Sequence, residues 1–316
     1  MSKIGGQRNF GYGKTMRWAG KQALKDKLGD GRYATQKAHS ERWARFAVFA
    51  KETGIKDARY VTRELIDAYG NHLAVQVRSD EMKVAYAQNL LSSVNVVLEL
   101  MREDRRLRIS PAVIVGHRTN VRESAPTSMA TKTVEAAVER LRDKQADRVA
   151  VVVELARHLG LRFREASLID VKAALIEADQ KGQINISRGT KGGRGRDVDR
   201  WVPVSNAGKK ALHAAVAIQK DARSLVPVEK TFHQWRTHAY GVWTPIARAH
   251  GIKGFHELRA AYACERYQQL TGAAAPIIAG ERMVSKEDDK TARQVLAHEL
   301  GHGRVDVISS YIGSSR

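Results

Sequence analysis

Ile184-Asn185-Ile186-Ser187-Arg188-Gly189-Thr190-Lys191-Gly192-Gly193-Arg194-Gly195-Arg196-Asp197-Val198-Asp199-Arg200-Trp201-Val202-Pro203-Val204 interrupts a chain whose pattern is otherwise helical. Ile184 and Ile186 alternate with polar residues, Gly189 to Gly193 supply a turn, and Val198 to Val204 returns. That order predicts a β-hairpin with a basic, glycine-rich tip. On both sides the apolar residues recur at helical spacing. Helices are expected at about 131–143 and 146–158, the second ending at Gly160, then at about 206–221, 232–250, 256–270 and 290–300. The charged stretch 280–290 reads as an exposed loop.

Further towards the amino terminus, Trp43, Phe46 and Phe49, then Leu65, Ile66, Tyr69 and Leu73, then Leu90, Leu91, Val94, Val97, Leu98 and Met101 mark a second, all-helical unit. Thr62 and Ser79-Asp80 read as starts of its second and third helices. Pro111, Gly116 and Pro126 mark a linker. The first 30 residues carry Lys3, Arg8, Lys14, Arg17, Lys21, Lys25 and Lys27 against Asp26 and Asp30, and read as a basic arm. The expected organisation is thus an arm at 1–30, a helical unit at 31–110, a linker at 111–130 and a second unit at 131–316. The fold class is mainly α with a small β-hairpin.

Composition narrows the function. With 54 Lys+Arg against 34 Asp+Glu the 316-residue chain carries a formal charge of +20. Such a charge calls for a polyanionic partner, and nucleic acid is the commonest. A membrane surface is the weaker alternative. With 43% hydrophobic residues the chain can bury a core, so it is not disordered as a whole. The single cysteine, Cys264, cannot form an internal disulfide, which suits a reducing cytosol. No apolar run is long enough to span a membrane and the first residues lack a signal peptide's apolar core, so a cytoplasmic, nucleoid-associated protein is expected.

Four local patterns carry chemistry. In Gly160-Leu161-Arg162-Phe163-Arg164-Glu165 an arginine stands at a helix start, where N–H groups also favour anions; it suits a phosphate, although Glu165 is equally its helical ion-pair partner. Lys191, with Arg188, Arg194 and Arg196 around it, places an amine on a loop able to reach a groove and protonate a leaving oxygen. His256 and Arg259 lie three apart, on one helix face. Leu300-Gly301-His302 is followed nine positions on by Tyr311. A phenol, with a pKa of ~10, is a poor nucleophile unless cations and proton acceptors surround it. A fifth pattern competes: His298-Glu299-Leu300-Gly301-His302 fits the H-E-x-x-H zinc motif, with Glu299 as general base. Glycine at 301 weakens the helix that would hold the second ligand, and zinc hydrolysis leaves the charge and the other patterns unexplained.

In their order, hairpin context and final spacing, the four patterns resemble the tyrosine recombinase (phage integrase) family over nearly the whole chain. The resemblance implies a two-domain C-shaped clamp on duplex DNA, with a helical core-binding domain and a mixed α/β catalytic domain. It implies site-specific cutting and rejoining for a phage or mobile element through a 3′-phosphotyrosyl intermediate. Tyr311 would attack the phosphate, Arg162 and Arg259 would hold its non-bridging oxygens, and Lys191 would protonate the leaving 5′-oxygen. His256 would act as acid–base partner, His302 would donate to the phosphate, and Glu165 would orient the basic groups. Arg188, Arg194 and Arg196 would contact DNA. No cofactor or metal is required, since the phosphotyrosine conserves the bond energy. The implied partners are double-stranded attachment sites, with a tetramer on paired sites.

The chain departs from that pattern in the few residues after Tyr311, where many relatives carry a docking helix, in an arm too short to be a separate arm-binding domain, and in a long insert before His298. Competing readings are a type IB topoisomerase-like enzyme with the same covalent chemistry, a zinc protease, and a DNA-binding protein without catalysis.

Overall fold

The computed structural model describes residues 6–315, apart from the side chain of Arg196. They form two compact units that divide between Thr119 and Asn120, each with its own apolar core.

The first unit contains α1 (Met16–Leu28), α2 (Tyr33–Glu52), α3 (Arg63–Arg78), α4 (Val84–Arg102) and α5 (Pro111–Val115). Its core is built on Trp43 and Phe46 of α2 and Tyr69 of α3, with successive ring centroids 5.2 Å apart. The indole N–H of Trp43 is satisfied by the carbonyl of Met16 at 2.7 Å, as a buried donor requires.

The expectation of a basic arm at 1–30 is corrected here. Residues 1–5 lie outside the described part, but 16–28 form a packed helix. Its Thr15 hydroxyl accepts from Trp18 N at the start, and Met16, Ala19, Ala23 and Leu24 bury against α2 and α4. The lysines occupy the other face, and their number masked an apolar stripe made mostly of alanine. Two smaller differences have similar causes. Ser79 and Asp80 end α3 rather than start the next helix, with Asp80 in the left-handed region. In the expected linker, Pro111 starts α5, which ends with Val115 buried in the first unit.

The second unit contains α6 (Thr131–Asp143), α7 (Asp147–His158), α8 (Phe163–Leu168), α9 (Val171–Lys181), β1 (Gln183–Asn185), β2 (Trp201–Pro203), α10 (Asn206–Gln219), α11 (Phe232–Ala249), α12 (Phe255–Thr271), α13 (Pro276–Ala279), α14 (Lys286–Glu299) and α15 (Ser309–Ile312). Helix α7 is apolar on nearly every side, with Val149 to Val153, Leu155 and Ala156 buried. It therefore lies at the centre, packed by α6, α8, α10 and α12. The two strands pair antiparallel with Ile184 opposite Val202. Between them Lys191–Arg196 makes a short 3-10 turn, fastened by Gly195 N donating to the Thr190 hydroxyl at 2.8 Å. The stretch 280–290 is not all loop: α14 begins at Lys286, capped by Ser285. Asp289 is buried, accepting from Tyr267 and pairing with Arg293, both at 2.8 Å. No helix among the described residues is long and apolar enough to cross a membrane.

Gly20 offers a test of the α1 packing. A Cβ there would stand 2.2 Å from Trp43 Nε1. Gly→Ala inside a helix ordinarily stabilises by ~1 kcal/mol, but Gly20→Ala is expected to destabilise the protein, by ~1–3 kcal/mol, because the core is overpacked. Chemical denaturation measures the sign; a variant more stable than wild type would show that α1 does not dock as described.

Candidate active site

Helix α7 ends at His158, Leu161 plunges into the core, and Arg162 becomes the residue that opens α8. Glu165, one turn inside α8, accepts from Arg162 N at 2.8 Å and from Arg162 Nη1 at 2.6 Å. That carboxylate is fully buried. Arg200 of the hairpin lies 2.8 Å from its Oε1 and Arg259 of α12 lies 3.7 Å from its Oε2. Burial alone would raise the Glu165 pKa, yet Arg200, Arg259 and Arg162 hold it down at about 2.

Arg259 is the most enclosed of the three guanidinium groups. Its Nη1 donates to Gly160 O and its Nη2 to Leu300 O, and Nε reaches the Tyr311 hydroxyl at 3.3 Å. Burial pushes its pKa down to about 10, which leaves it cationic at neutral pH. The aromatic cluster of Phe255 with Phe163 and Trp243 seats the start of α12 and so fixes where Arg259 emerges.

The chain then returns from two directions. Helix α14 ends at Glu299, and Gly301 turns the backbone so that His302 faces the arginines. His302 Nε2 lies 3.1 Å from Tyr311 Oη, 3.4 Å from Arg259 Nη2 and 3.5 Å from Arg162 Nη2. Both guanidinium groups can only donate, so Nε2 is assigned as the acceptor, with the ring proton on Nδ1. Burial and then Arg259, Arg162 and Arg200 push the imidazole pKa down to about 3. The ring is neutral at pH 7.

Tyr311 sits on α15, buried between Ile308 and Ile312. Arg293 clasps the segment through Ser309 Oγ, Gly313 O and Ser314 O at 2.9–3.3 Å, and Ser309 O accepts from Arg122 N. The ring of His256 packs 5.1 Å from the phenol ring, centroid to centroid. Burial, then Arg259, lowers the His256 pKa.

Arg162, Glu165, His256, Arg259, His302 and Tyr311, scattered over 150 positions of sequence, are thus in one place. Lys191 joins them from the hairpin turn. It is exposed and borders a small cavity of about 40 Å³ together with Arg162, Arg194, Arg200 and His302. Arg188 is engaged elsewhere, donating to Arg223 O at 3.1 Å and lying 3.8 Å from Asp170. The Arg196 side chain lies outside the described part.

Residues 116–265 match the sequence model of the integrase family. That match spans a little under half of the chain, and over it the sequence is similar to the integrases. The match supports an enzyme of the site-specific recombinase/integrase class. The fold of the chain is similar to that of the Tn1549 transposon integrase in complex with a circular intermediate DNA, at 10% identity over 96% of each chain and a TM-score of 0.59. It is also similar to a lambda integrase dimer bound to a COC′ core site, at 16% identity over 94% of this chain and 76% of that one, with a TM-score of 0.57. A lambda integrase tetramer bound to a Holliday junction gives 15% identity, 93% and 76% coverage and a TM-score of 0.54. A comparison with curated protein sequences gives no match.

The structure also sets aside the helical zinc-motif geometry. His298 is exposed at the end of α14 while His302 lies beyond the helix, its Nε2 facing Tyr311, Arg259 and Arg162, so the helical spacing that the motif needs is not formed. Glu299 is buried, accepting from Tyr262 at 3.0 Å and from Arg266 at 2.9–3.1 Å, and is not placed as a base. Two site groups escaped the sequence reading: Arg293, which sits within a charged run, and Arg200. The latter left a signal, because in an alternating strand it has the same parity as Val202, which is buried.

Glu165 is the keystone of this charge cluster. Its folded pKa of about 2 lies below the ordinary 4.5, so its contribution to stability is complete above about pH 4.5 and is lost as pH falls through about 2. Glu165→Gln should cost ~3–5 kcal/mol at pH 7, the range for breaking a buried ion pair, and flatten the pH dependence of stability between those values. Denaturation curves at several pH values measure both; a variant as stable as wild type at pH 7 would contradict the assignment.

Proposed function

We propose that Tyr311 is the nucleophile of strand cleavage on duplex DNA, and the observation that carries this reading is its hydroxyl's position between His302 Nε2 at 3.1 Å and Arg259 Nε at 3.3 Å. The Tyr311 Oη–phosphorus bond forms as the bond from phosphorus to the 5′-oxygen breaks. The phenolic proton passes to a neutral imidazole, and the leaving oxygen takes a proton from Lys191. The products are a 3′-phosphotyrosyl link and a free 5′-hydroxyl, and attack by a 5′-hydroxyl of a partner strand reverses the step.

Arg162 and Arg259 provide positive charge for the non-bridging oxygens, where negative charge grows in the transition state. The distances favour His302 as the proton acceptor from Tyr311, with His256 seated against the ring; this reverses the roles that the family resemblance implied for the two histidines. Glu165 holds the guanidinium groups together and in place. Arg194, exposed beside Lys191 at the cavity, serves as a phosphate contact; for Arg188 the bonds to Arg223 and Asp170 offer no support. The chain needs no metal or nucleotide for this chemistry.

The substrates are paired double-stranded sites, with a tetramer forming on them; the lambda integrase tetramer on a Holliday junction supports this by analogy of fold. Work on chromosomal or element DNA places the protein at the nucleoid. The charge of +20 makes binding strongly salt-dependent, with log K falling by about 0.9 per phosphate neutralised for each unit of log salt.

Tyr311→Phe should abolish covalent capture on a nicked suicide substrate while leaving duplex binding intact, because one oxygen is removed and the basic surface is untouched. Arg162→Ala should slow cleavage by ~10²–10³, as for loss of one transition-state donor. Capture by wild type should persist in a chelator. Adducts formed by the phenylalanine variant, read by denaturing gel, would refute the nucleophile.

A further inference from the structure

Arg200 is 4% exposed, and burying a guanidinium is costly unless every donor is used. Its donors are not all used. Nε donates to Glu299 O at 2.7 Å. Nη1 lies 2.8 Å from Glu165 Oε1 without the alignment of a hydrogen bond, and Nη2 has no partner among the described residues. A methionine of similar length would fill the same volume without that cost. Something other than packing therefore accounts for a cation at this position.

Its placement supplies the reason. Arg200 directly precedes β2, which leads back from the Lys191 turn. Its two anchors lie on the other two segments of the site: Glu165, which holds Arg162, and the Glu299 carbonyl at the end of α14, two residues before Gly301. Gly301 is shaped to admit it. Its φ of +61° is in the left-handed region, and a Cβ there would stand 3.0 Å from Arg200 Cδ. The guanidinium also borders the cavity that Lys191, Arg162 and His302 share.

We propose that Arg200 is a positioning residue for strand cleavage, its guanidinium tying the strand that follows the Lys191 turn to the two segments that carry Arg162 and His302. This rests on the strand-cleavage reading of the same site. Arg200 does not touch the phosphate; it acts through Glu165 and the Glu299 carbonyl. Besides Arg200, the charged and titratable groups that face the Glu165 carboxyl are Arg162 on α8, Arg259 on α12 and, beyond them, His302. Arg200 is the strongest of the cations holding Glu165 ionised. Without it the carboxyl protonates at higher pH, and Arg162 loses its anchor there.

The test is single-turnover cleavage of a nicked duplex across a pH series by wild type, Arg200→Met and Arg200→Lys, with duplex binding measured in parallel. Arg200→Met is expected to slow cleavage by about 10²-fold, the cost of a misplaced reacting group, with duplex affinity unchanged and the acid limb of the rate profile moved to higher pH. Arg200→Lys keeps the charge but not the fork, and should recover part of the rate and most of the pH profile. Should the methionine variant not fold, slower cleavage by the lysine variant at unchanged affinity carries the proposal. Variants that cleave like wild type would overturn it, and so would slow variants whose pH profile matches wild type, since that is the signature of a merely structural role. If wild type itself forms no adduct, the strand-cleavage reading falls; an active wild type with equally active variants removes only the role of Arg200.

Discussion

One buried carboxylate organises the second unit. Glu165 has no contact with water, and an ionised carboxyl so placed survives only among compensating charges. Those charges arrive from three segments: Arg162 from the start of its own helix, Arg200 from the hairpin and Arg259 from α12. Three guanidinium groups would otherwise repel one another. Around Glu165 they converge to within a few ångströms, with net positive charge left over. The surplus is what lets the pocket favour an anion and keep the His302 imidazole neutral. Removing the carboxylate would therefore not liberate the arginines for catalysis; it would scatter them.

The helical part of the fold was legible because its signals are local. Trp43, Phe46, Tyr69, Leu90 and Val94 repeat at the helical period and are buried, and the hairpin announced itself by alternation and glycine. The amino-terminal helix was not legible, because its buried face is Met16, Ala19, Ala23 and Leu24. Alanine contributes little to hydrophobic contrast, and the surrounding lysines outweighed it. What makes that face bury is the Trp43 indole, which closes over Gly20 and donates to Met16 O. That contact is tertiary, and no window of residues 1–30 contains it.

The site divides along the same line. Residues proposed to act through their own chemistry, Tyr311, His302, Arg259 and Arg162, sit in short patterns with spacings a sequence can show. Residues that act by holding others do not, because their partners are distant: Arg293 bonds the backbone of 313 and 314 from one helix away, and Arg200 bonds the carbonyl of Glu299. The zinc pattern shows the converse error. His298 and His302 are four apart in sequence, but Gly301 bends the chain between them, and the helical spacing on which the motif depends is absent.

The same geometry orders the events of the proposed reaction. Arg259 already spends Nη1 and Nη2 on the carbonyls of Gly160 and Leu300 and offers Nε to the phenol. Arg162 keeps 26% of its side chain exposed against 2% for Arg259, so an incoming phosphate meets Arg162 first. In the proposed reaction it engages Arg259 by taking over Nε from Tyr311 Oη. That exchange transfers the phenol from a guanidinium donor to the phosphorus it is to attack, while His302 Nε2, at 3.1 Å, remains to receive the proton. In that proposed reaction the nucleophile is held by the same group that later holds its target, and arrival of the phosphate releases it.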